Sequence, residues 1–144
     1  MDVDHIGFSG SRFGMSEKQY TWVDQYMEVL RHSGREIWGH HGDCIGSDSQ
    51  FHEICRRYKH LVRKHPPLEK ILNRANTFCD AEDPPYSYSG RNQRICLASR
   101  VLIATPASRV RKGGTWNSIS HAQNMKMPYV IIFPDGNIIQ CGSI

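Results

Sequence analysis

The sequence predicts an α/β fold: a Rossmann-like three-layer domain with a mostly parallel sheet and an antiparallel edge strand at its C-terminal end. Three observations carry this. Short apolar runs of strand length alternate with segments of helical periodicity. At three places such a run leads through a glycine-rich loop into a helix start. Near the end, Tyr129-Val130-Ile131-Ile132-Phe133 is an almost unbroken apolar run, as expected of a strand covered on both faces.

The elements follow in order. His5-Ile6-Gly7-Phe8 is a strand that opens into Ser9-Gly10-Ser11-Arg12-Phe13-Gly14. Ser16 with Gln19 three residues on fits a capping box, and the helix behind it has Tyr20, Val23, Met27 and Leu30 on one face. Glu36-Ile37-Trp38 ends a second strand. It runs into the loop Gly39-His40-His41-Gly42-Asp43-Cys44-Ile45-Gly46, where Ser47 and Gln50 form a second capping box and Phe51, Ile54, Cys55 and Tyr58 the apolar face. His60 to His65 is a strand stopped by Pro66-Pro67, which cannot continue a ladder. Leu68 to Leu72 reads as a short helical turn, and Asn73 to Ser89 as an irregular binding loop or lid. A helix from Gly90 to Ala98 feeds the strand Val101–Ala104. The loop carrying Arg109, Arg111, Lys112, Gly113 and Gly114 then opens a helix with Trp116, Ile119 and Ala122. After Tyr129–Phe133, a turn at Pro134–Asn137 returns Ile138-Ile139-Gln140 antiparallel.

At 144 residues, 39% hydrophobic and 22% charged, residues 1–144 suit a single domain with a real core. No apolar run is long enough to cross a bilayer, and Met1-Asp2-Val3-Asp4-His5 lacks the features of a signal peptide, so a cytoplasmic protein with no membrane partner is expected. Five scattered cysteines fit reduced thiols better than a disulfide framework. The net charge of +4 suits an anionic ligand, nucleic acid included, without demanding one. The cluster Arg56, Arg57, Lys59, Arg63 and Lys64 reads as a solvated helix end before it reads as a nucleic-acid contact, since no aromatic residues are interleaved with it.

In a parallel α/β sheet, strand-to-helix loops emerge at the carboxyl ends of the strands, so loops of neighbouring strands line one crevice. Helix N-termini there offer free N–H groups and a positive dipole end to an anion, most simply a phosphate. A composite anion site is therefore expected from Ser9, Gly10, Ser11 and Arg12, from His41, Gly42, Asp43, Gly46, Ser47 and Asp48, and from Gly113, Gly114 and Thr115. Arg12 is the charged clamp of that site. Arg109, Arg111 and Lys112 are either ligand contacts or part of a solvated loop. Trp116 is either core or a base-stacking platform. His65-Pro66-Pro67 either borders the base or ribose or simply ends the strand. His40, His41, Cys44, His52 and Cys55 match no standard zinc spacing, and no metal or cofactor is expected.

Gly7-Phe8-Ser9-Gly10-Ser11-Arg12, His41-Gly42-Asp43-Cys44-Ile45-Gly46-Ser47-Asp48, His65-Pro66-Pro67, Arg91-Asn92 and Gly113-Gly114-Thr115-Trp116 occur in an order that resembles small proteins of the SLOG superfamily. That superfamily includes LOG phosphoribohydrolases and DprA-like (Smf) proteins. The resemblance spans Ile6 to Phe133. It implies a Rossmann-like domain that binds nucleotides or their derivatives at the crevice, adds Arg91 and Asn92 to its lining, and implies a homodimer or higher homo-oligomer. LOG enzymes carry Pro-Gly-Gly-x-Gly-Thr-x-x-Glu, whose glutamate assists N-glycosidic cleavage. Aligned on Gly114-Thr115, this chain has Ser118 at that position, and a hydroxyl does not do the work of a carboxylate. Binding of a phosphorylated nucleotide derivative (a nucleoside monophosphate, an ADP-ribose-like molecule or a cyclic signal nucleotide) is thus the expected function, for sensing or sequestration. A nucleotide N-glycosidase, with Asp43, Asp48 or Glu82 replacing the glutamate, is the alternative, and a DprA-like nucleic-acid-binding module the third.

Overall fold

The computed structural model describes residues 2–69 and 73–144. The expected turn at Leu68–Leu72 falls mostly on 70–72, outside the described residues. The elements are β1 (Val3–Gly10), α1 (Glu17–Arg31), β2 (Glu36–His41), α2 (Ser47–Arg57), β3 (Leu61–Lys64), β4 (Ala81–Glu82), α3 (Tyr88–Leu97), β5 (Val101–Thr105), α4 (Gly114–Asn124), β6 (Tyr129–Ile132) and β7 (Ile138–Cys141). One sheet holds all seven strands in the order β4-β3-β2-β1-β5-β6-β7. Every pairing is parallel except β6 with β7. The Rossmann-like expectation holds, including the antiparallel edge.

Strand alternation builds two cores. Ile6 and Phe8 of β1, Val101 and Ile103 of β5, and Val130 and Ile132 of β6 pack with Val23 and Met27 of α1 and Phe51, Ile54 and Cys55 of α2. The intervening residues face the other way: Ala104 and Ile131 meet Trp116 and Ile119 of α4, while Leu102 meets Ile95 and Cys96 of α3 and Ala122 of α4. A period of two in β5 and β6 thus feeds both faces, the physical reason Val101–Ala104 and Val130–Ile132 carry no polar residue. In the first core, Phe8 and Phe51 stack with ring centroids 4.5 Å apart and planes 4° from parallel.

The two expected capping boxes part ways. Around α1 the Gln19 N–H donates to Ser16 Oγ at 3.2 Å, and the Ser16 N–H donates to Gln19 Oε1 at 2.8 Å. Gln19 Nε2 also donates to the carbonyls of Pro106 and Ile132, both at 2.8 Å, tying α1 to the ends of β5 and β6. At α2 no side chain caps the helix: the N-cap is Gly46 and Ser47 is already helical. Gln50 is diverted, its Oε1 accepting the Met15 N–H at 2.7 Å. The sequence reading also missed β4, a two-residue strand inside the Asn73–Ser89 stretch, and ended β2 three residues early.

Because Phe51 is fully buried and stacked, Phe51→Ala is expected to cost about 3–5 kcal/mol. Urea unfolding of the two proteins measures this, and a loss below about 1 kcal/mol would show that the core is not packed around this ring.

Candidate functional site

Chain order reverses between β1 and β5: the first half of the chain builds outward from β1 through β2 and β3, and α3 then returns it to β1's other side. At the carboxyl ends of these strands lies a cleft of about 490 Å³, at the switch point where open α/β sheets hold ligands. Three segments line it: Ser9–Phe13 at the end of β1 and just beyond it, Gly42 and Cys44 after β2 with Asp48 behind them, and Pro106–Ser108 with Val110 and Lys112–Trp116 after β5. Asn73, Tyr88, Arg91, Asn92 and Ile95 complete the lining.

The first two loops are joined by their backbones. Ser47 N–H donates to the Ser11 carbonyl at 2.9 Å, and Gly14 N–H to the same oxygen at 3.1 Å. Gly46 makes this approach possible: its φ is +86°, and a Cβ there would overlap the Arg12 carbonyl. Gly42 is needed for closeness of a second kind, since the Arg91 guanidinium occupies the space of a Cβ at that position. Arg91 is 6% exposed; its Nη1 donates to the carbonyls of Gly42 at 2.6 Å and His65 at 3.2 Å, and its Nε to Asn92 Oδ1 at 2.8 Å. Asn92 Nδ2 in turn donates to Gly114 O at 3.3 Å and Asn117 Oδ1 at 3.0 Å. This pair spans the cleft floor from the β2 loop to the start of α4.

Of the residues expected at the site, Ser9–Arg12, Gly42, Asp48, Arg91, Asn92, Gly113, Gly114, Thr115 and Trp116 line the cleft; His41, Asp43, Gly46, Ser47 and Arg111 do not. Gly46 and Ser47 shape the loop from behind. Arg111 lies over the Trp116 ring, its guanidinium carbon 5.3 Å from the centroid. Trp116 is 8% exposed and donates Nε1–H to Ser108 O at 3.1 Å, so it is a core residue with one edge at the cleft. Ser118 is fully buried: Ser9 Oγ donates to its Oγ at 2.8 Å, and Ser118 Oγ donates to Gly114 O at 3.2 Å. Lys112, weighed as a ligand contact or part of a solvated loop, lines the cleft, as do Asn73 and Tyr88 from the stretch read as a binding loop or lid. Ile95, Pro106–Ser108 and Val110 are lining residues that sequence reasoning passed over.

Two buried carboxylates behave differently. Asp48 accepts from the Cys44 N–H at 3.2 Å, but burial dominates and pushes its pKa up to about 6 despite the nearby Arg91 charge. For Asp43 burial also works against the charge, yet bonds from Thr77 and Arg74 and the charge of Lys64 outweigh it and hold its carboxyl below the usual range. Asp43 Oδ1 accepts from Thr77 N at 2.9 Å and Oγ1 at 2.7 Å, and Oδ2 from Arg74 Nη2 at 2.8 Å. Of Asp43, Asp48 and Glu82, only Asp48 reaches the cleft.

No family model matches the chain, and no curated protein matches it. Solved structures do. A molybdenum cofactor binding protein from the phototrophic bacterium Rippkaea orientalis is 17% identical with a TM-score of 0.70, covering 92% of this chain and 78% of that one. The molybdenum cofactor carrier protein of Chlamydomonas reinhardtii is 16% identical with a TM-score of 0.61, covering 90% and 76%. DNA processing protein A of Streptococcus pneumoniae is 18% identical with a TM-score of 0.67, covering 99% of this chain and 52% of that one, so this chain spans about half of its length. The chain therefore shares with these proteins a Rossmann-like α/β fold with a mostly parallel sheet.

Burial pushes His40 down to about 2 and His41 down to about 3, against 6.5 for the unfolded side chain. Below pH 6.5 the unfolded chain takes up protons that the folded one refuses, so stability falls with pH. Each histidine costs roughly 1 kcal/mol between pH 6.5 and 5.5. Asp48, with its raised pKa, gains its proton earlier when folded and returns somewhat less than one such step. His65, which burial pushes down to about 4, adds a third such step, so the expected net loss is about 2 kcal/mol; equal urea midpoints at the two pH values would refute it.

Proposed function

We propose that the protein binds a small phosphorylated nucleotide derivative in this cleft, for sensing or sequestration. The observation that carries the reading is the convergence, on one 490 Å³ cleft, of the Ser9–Arg12 loop, the Gly42–Cys44 loop and the Gly113–Thr115 start of α4. The N-terminus of α4 bears two glycines with open space where a Cβ would stand, so its free N–H groups are accessible to phosphate oxygens. Arg12 and Lys112 supply exposed positive charge at the rim, while Arg91 is already committed to backbone carbonyls. The cleft volume suits a mononucleotide-sized ligand. The five cysteines, all free, favour a reducing, cytoplasmic setting.

The enzyme alternative narrows to one residue. N-glycosidic cleavage builds positive charge on the ribose and needs a carboxylate beside it; Ser118 is tied into hydrogen bonds with Ser9 and Gly114, and Asp48 is the remaining carboxylate at the cleft. A thermal-shift screen of nucleoside monophosphates, cyclic nucleotides and ADP-ribose derivatives is expected to yield a hit that chromatography returns intact. Arg12→Ala is expected to weaken that hit by about tenfold or more, as a charge-assisted phosphate contact is worth about 1.5–3 kcal/mol. Equal affinities would remove Arg12 from the site, and free base released over many turnovers and lost in Asp48→Asn would replace binding by catalysis. Single-stranded oligonucleotides belong in the same screen, because the DNA processing protein A of Helicobacter pylori, a structural neighbour, binds single-stranded DNA.

A homodimer is part of the proposal, supported by the superfamily resemblance and by the prevalence of two-fold assemblies. Light scattering at micromolar concentration is expected to give twice the 16.5 kDa chain mass. A monomer with and without ligand would overturn it.

A further inference from the structure

A second cluster lies on the α2 face of the sheet, outside the cleft. His41 is the last residue of β2, His52 lies in the second turn of α2, and Cys79 belongs to the segment before β4. His41 Nε2 and His52 Nδ1 are 3.2 Å apart, and Cys79 Sγ is 3.9 Å from the first and 3.8 Å from the second. We propose that these three side chains form a binding site for a single transition-metal ion of the borderline-soft class, with Zn²⁺ the ion that fits best.

The geometry is the first support. Zinc bound at about 2.0–2.1 Å by nitrogen and about 2.3 Å by sulfur, at tetrahedral angles, places its nitrogens about 3.3 Å apart and each nitrogen about 3.6 Å from the sulfur. The observed triangle departs from this by a few tenths of an ångström. Two imidazoles with one thiolate are also the donor set that zinc and its soft neighbours prefer over calcium or magnesium. A hydrogen bond from His41 Nε2–H to His52 Nδ1 accounts for the two rings in the metal-free molecule, but leaves the thiol at the long limit of a hydrogen bond to both nitrogens.

The cluster is braced by its surroundings. Thr77 Oγ1 lies 3.3 Å from Cys79 Sγ and is itself fixed on Asp43, an outer-shell contact of the kind that orients ligands. His41 is fully buried, whereas His52 and Cys79 are half-buried, so the cluster is reached from the solvent side past these two. Proton bookkeeping is specific. The Asp43 N–H donates to His41 Nδ1 at 2.9 Å, so in the metal-free molecule the ring proton sits on Nε2. Binding moves that proton to Nδ1, at the expense of the Asp43 amide bond, and releases the Cys79 thiol proton to solvent. Affinity therefore falls by about tenfold or more for each unit of pH lowered below neutrality.

The test is a Co²⁺ titration of the chelator-stripped full chain. The expected result is saturation at one equivalent, with a thiolate-to-cobalt charge-transfer band that Zn²⁺ then displaces. Cys79→Ser is expected to abolish the band and His52→Ala to weaken binding at least tenfold, while Cys141→Ser, altered on the exposed edge strand, keeps both. Alkylation of the unmodified chain mapped by mass spectrometry gives a readout that needs no variant: one equivalent of Zn²⁺ is expected to slow modification of Cys79 tenfold or more and leave Cys141 unchanged. No charge-transfer band, a band that survives in Cys79→Ser, or a Cys79 alkylation rate indifferent to Zn²⁺ would each overturn the proposal.

Discussion

A single buried carboxylate, Asp43, holds together the parts of the molecule that helices and strands do not. It sits in the left-handed region at φ +58°, which a short polar side chain tolerates. From there its two oxygens take bonds from Thr77 and Arg74, with Lys64 Nζ 3.8 Å away. Its carbonyl accepts the Ala75 N–H at 2.9 Å, and next to it Ile45 N–H donates to Asn73 O at 2.8 Å. An unpaired carboxylate at this depth would be costly, whereas one with four donors and a nearby ammonium is held ionised and fixes what surrounds it. The consequence is that residues 73–79, far from β2 in sequence, are laid along the end of β2 in space.

That anchoring divides the β2 loop between two sides. On one side Gly42 and Cys44 face the cleft, where the Arg91–Asn92 pair reaches across to α4. On the other, Thr77 and Cys79 are brought to His41 and His52. The cleft is thus built on backbone: Gly46 lets the loops after β1 and β2 touch, and Gly113 and Gly114 at the start of α4 leave its first N–H groups bare. Positive side-chain charge not already bonded within the protein enters at the rim, through Arg12 and Lys112. Such an arrangement favours an anion by fixed dipoles at little entropic cost, because the donors are ordered before anything arrives.

Much of this was legible in the sequence for physical reasons. Gly-rich turns between apolar runs mark strand-to-helix loops, parallel strands put those loops on one edge, and the almost unbroken apolar run Tyr129–Phe133 announces a strand covered on both faces. What escaped depends on distant partners. Ser47-x-x-Gln50 has the letters of a capping box, but Ser47's backbone is claimed by Ser11 and Gln50's amide by Met15. Local pattern offers no means to see that competition. β4 escaped because its two residues acquire their ladder only by lying beside Arg63 and Lys64. Cys79 escaped because nothing in its own neighbourhood announces that Asp43 will carry it to a pair of histidines.

The length of one strand decides more than any of these. Ending β2 at Trp38 puts His40 and His41 into a common loop, as equivalent candidates for one site. With β2 running to His41, the period of two sends them to opposite faces of the sheet. Gly39 lies against Phe51 and Cys55 of α2, so His41 shares that face and meets His52, while His40 points to the α3 side. There His40 Nε2 lies 2.9 Å from His5 Nδ1, and its Nδ1 2.9 Å from Nε2 of His65, whose own Nδ1 is 3.0 Å from Asp83. Neighbouring histidines thus belong to two separate polar networks divided by the thickness of a sheet. Both rings are desolvated and both stay neutral, but only His41 has a thiol and a second imidazole converging on its free nitrogen. The placement of the candidate metal ligands therefore follows from backbone geometry, in three residues that continue a ladder instead of leaving it.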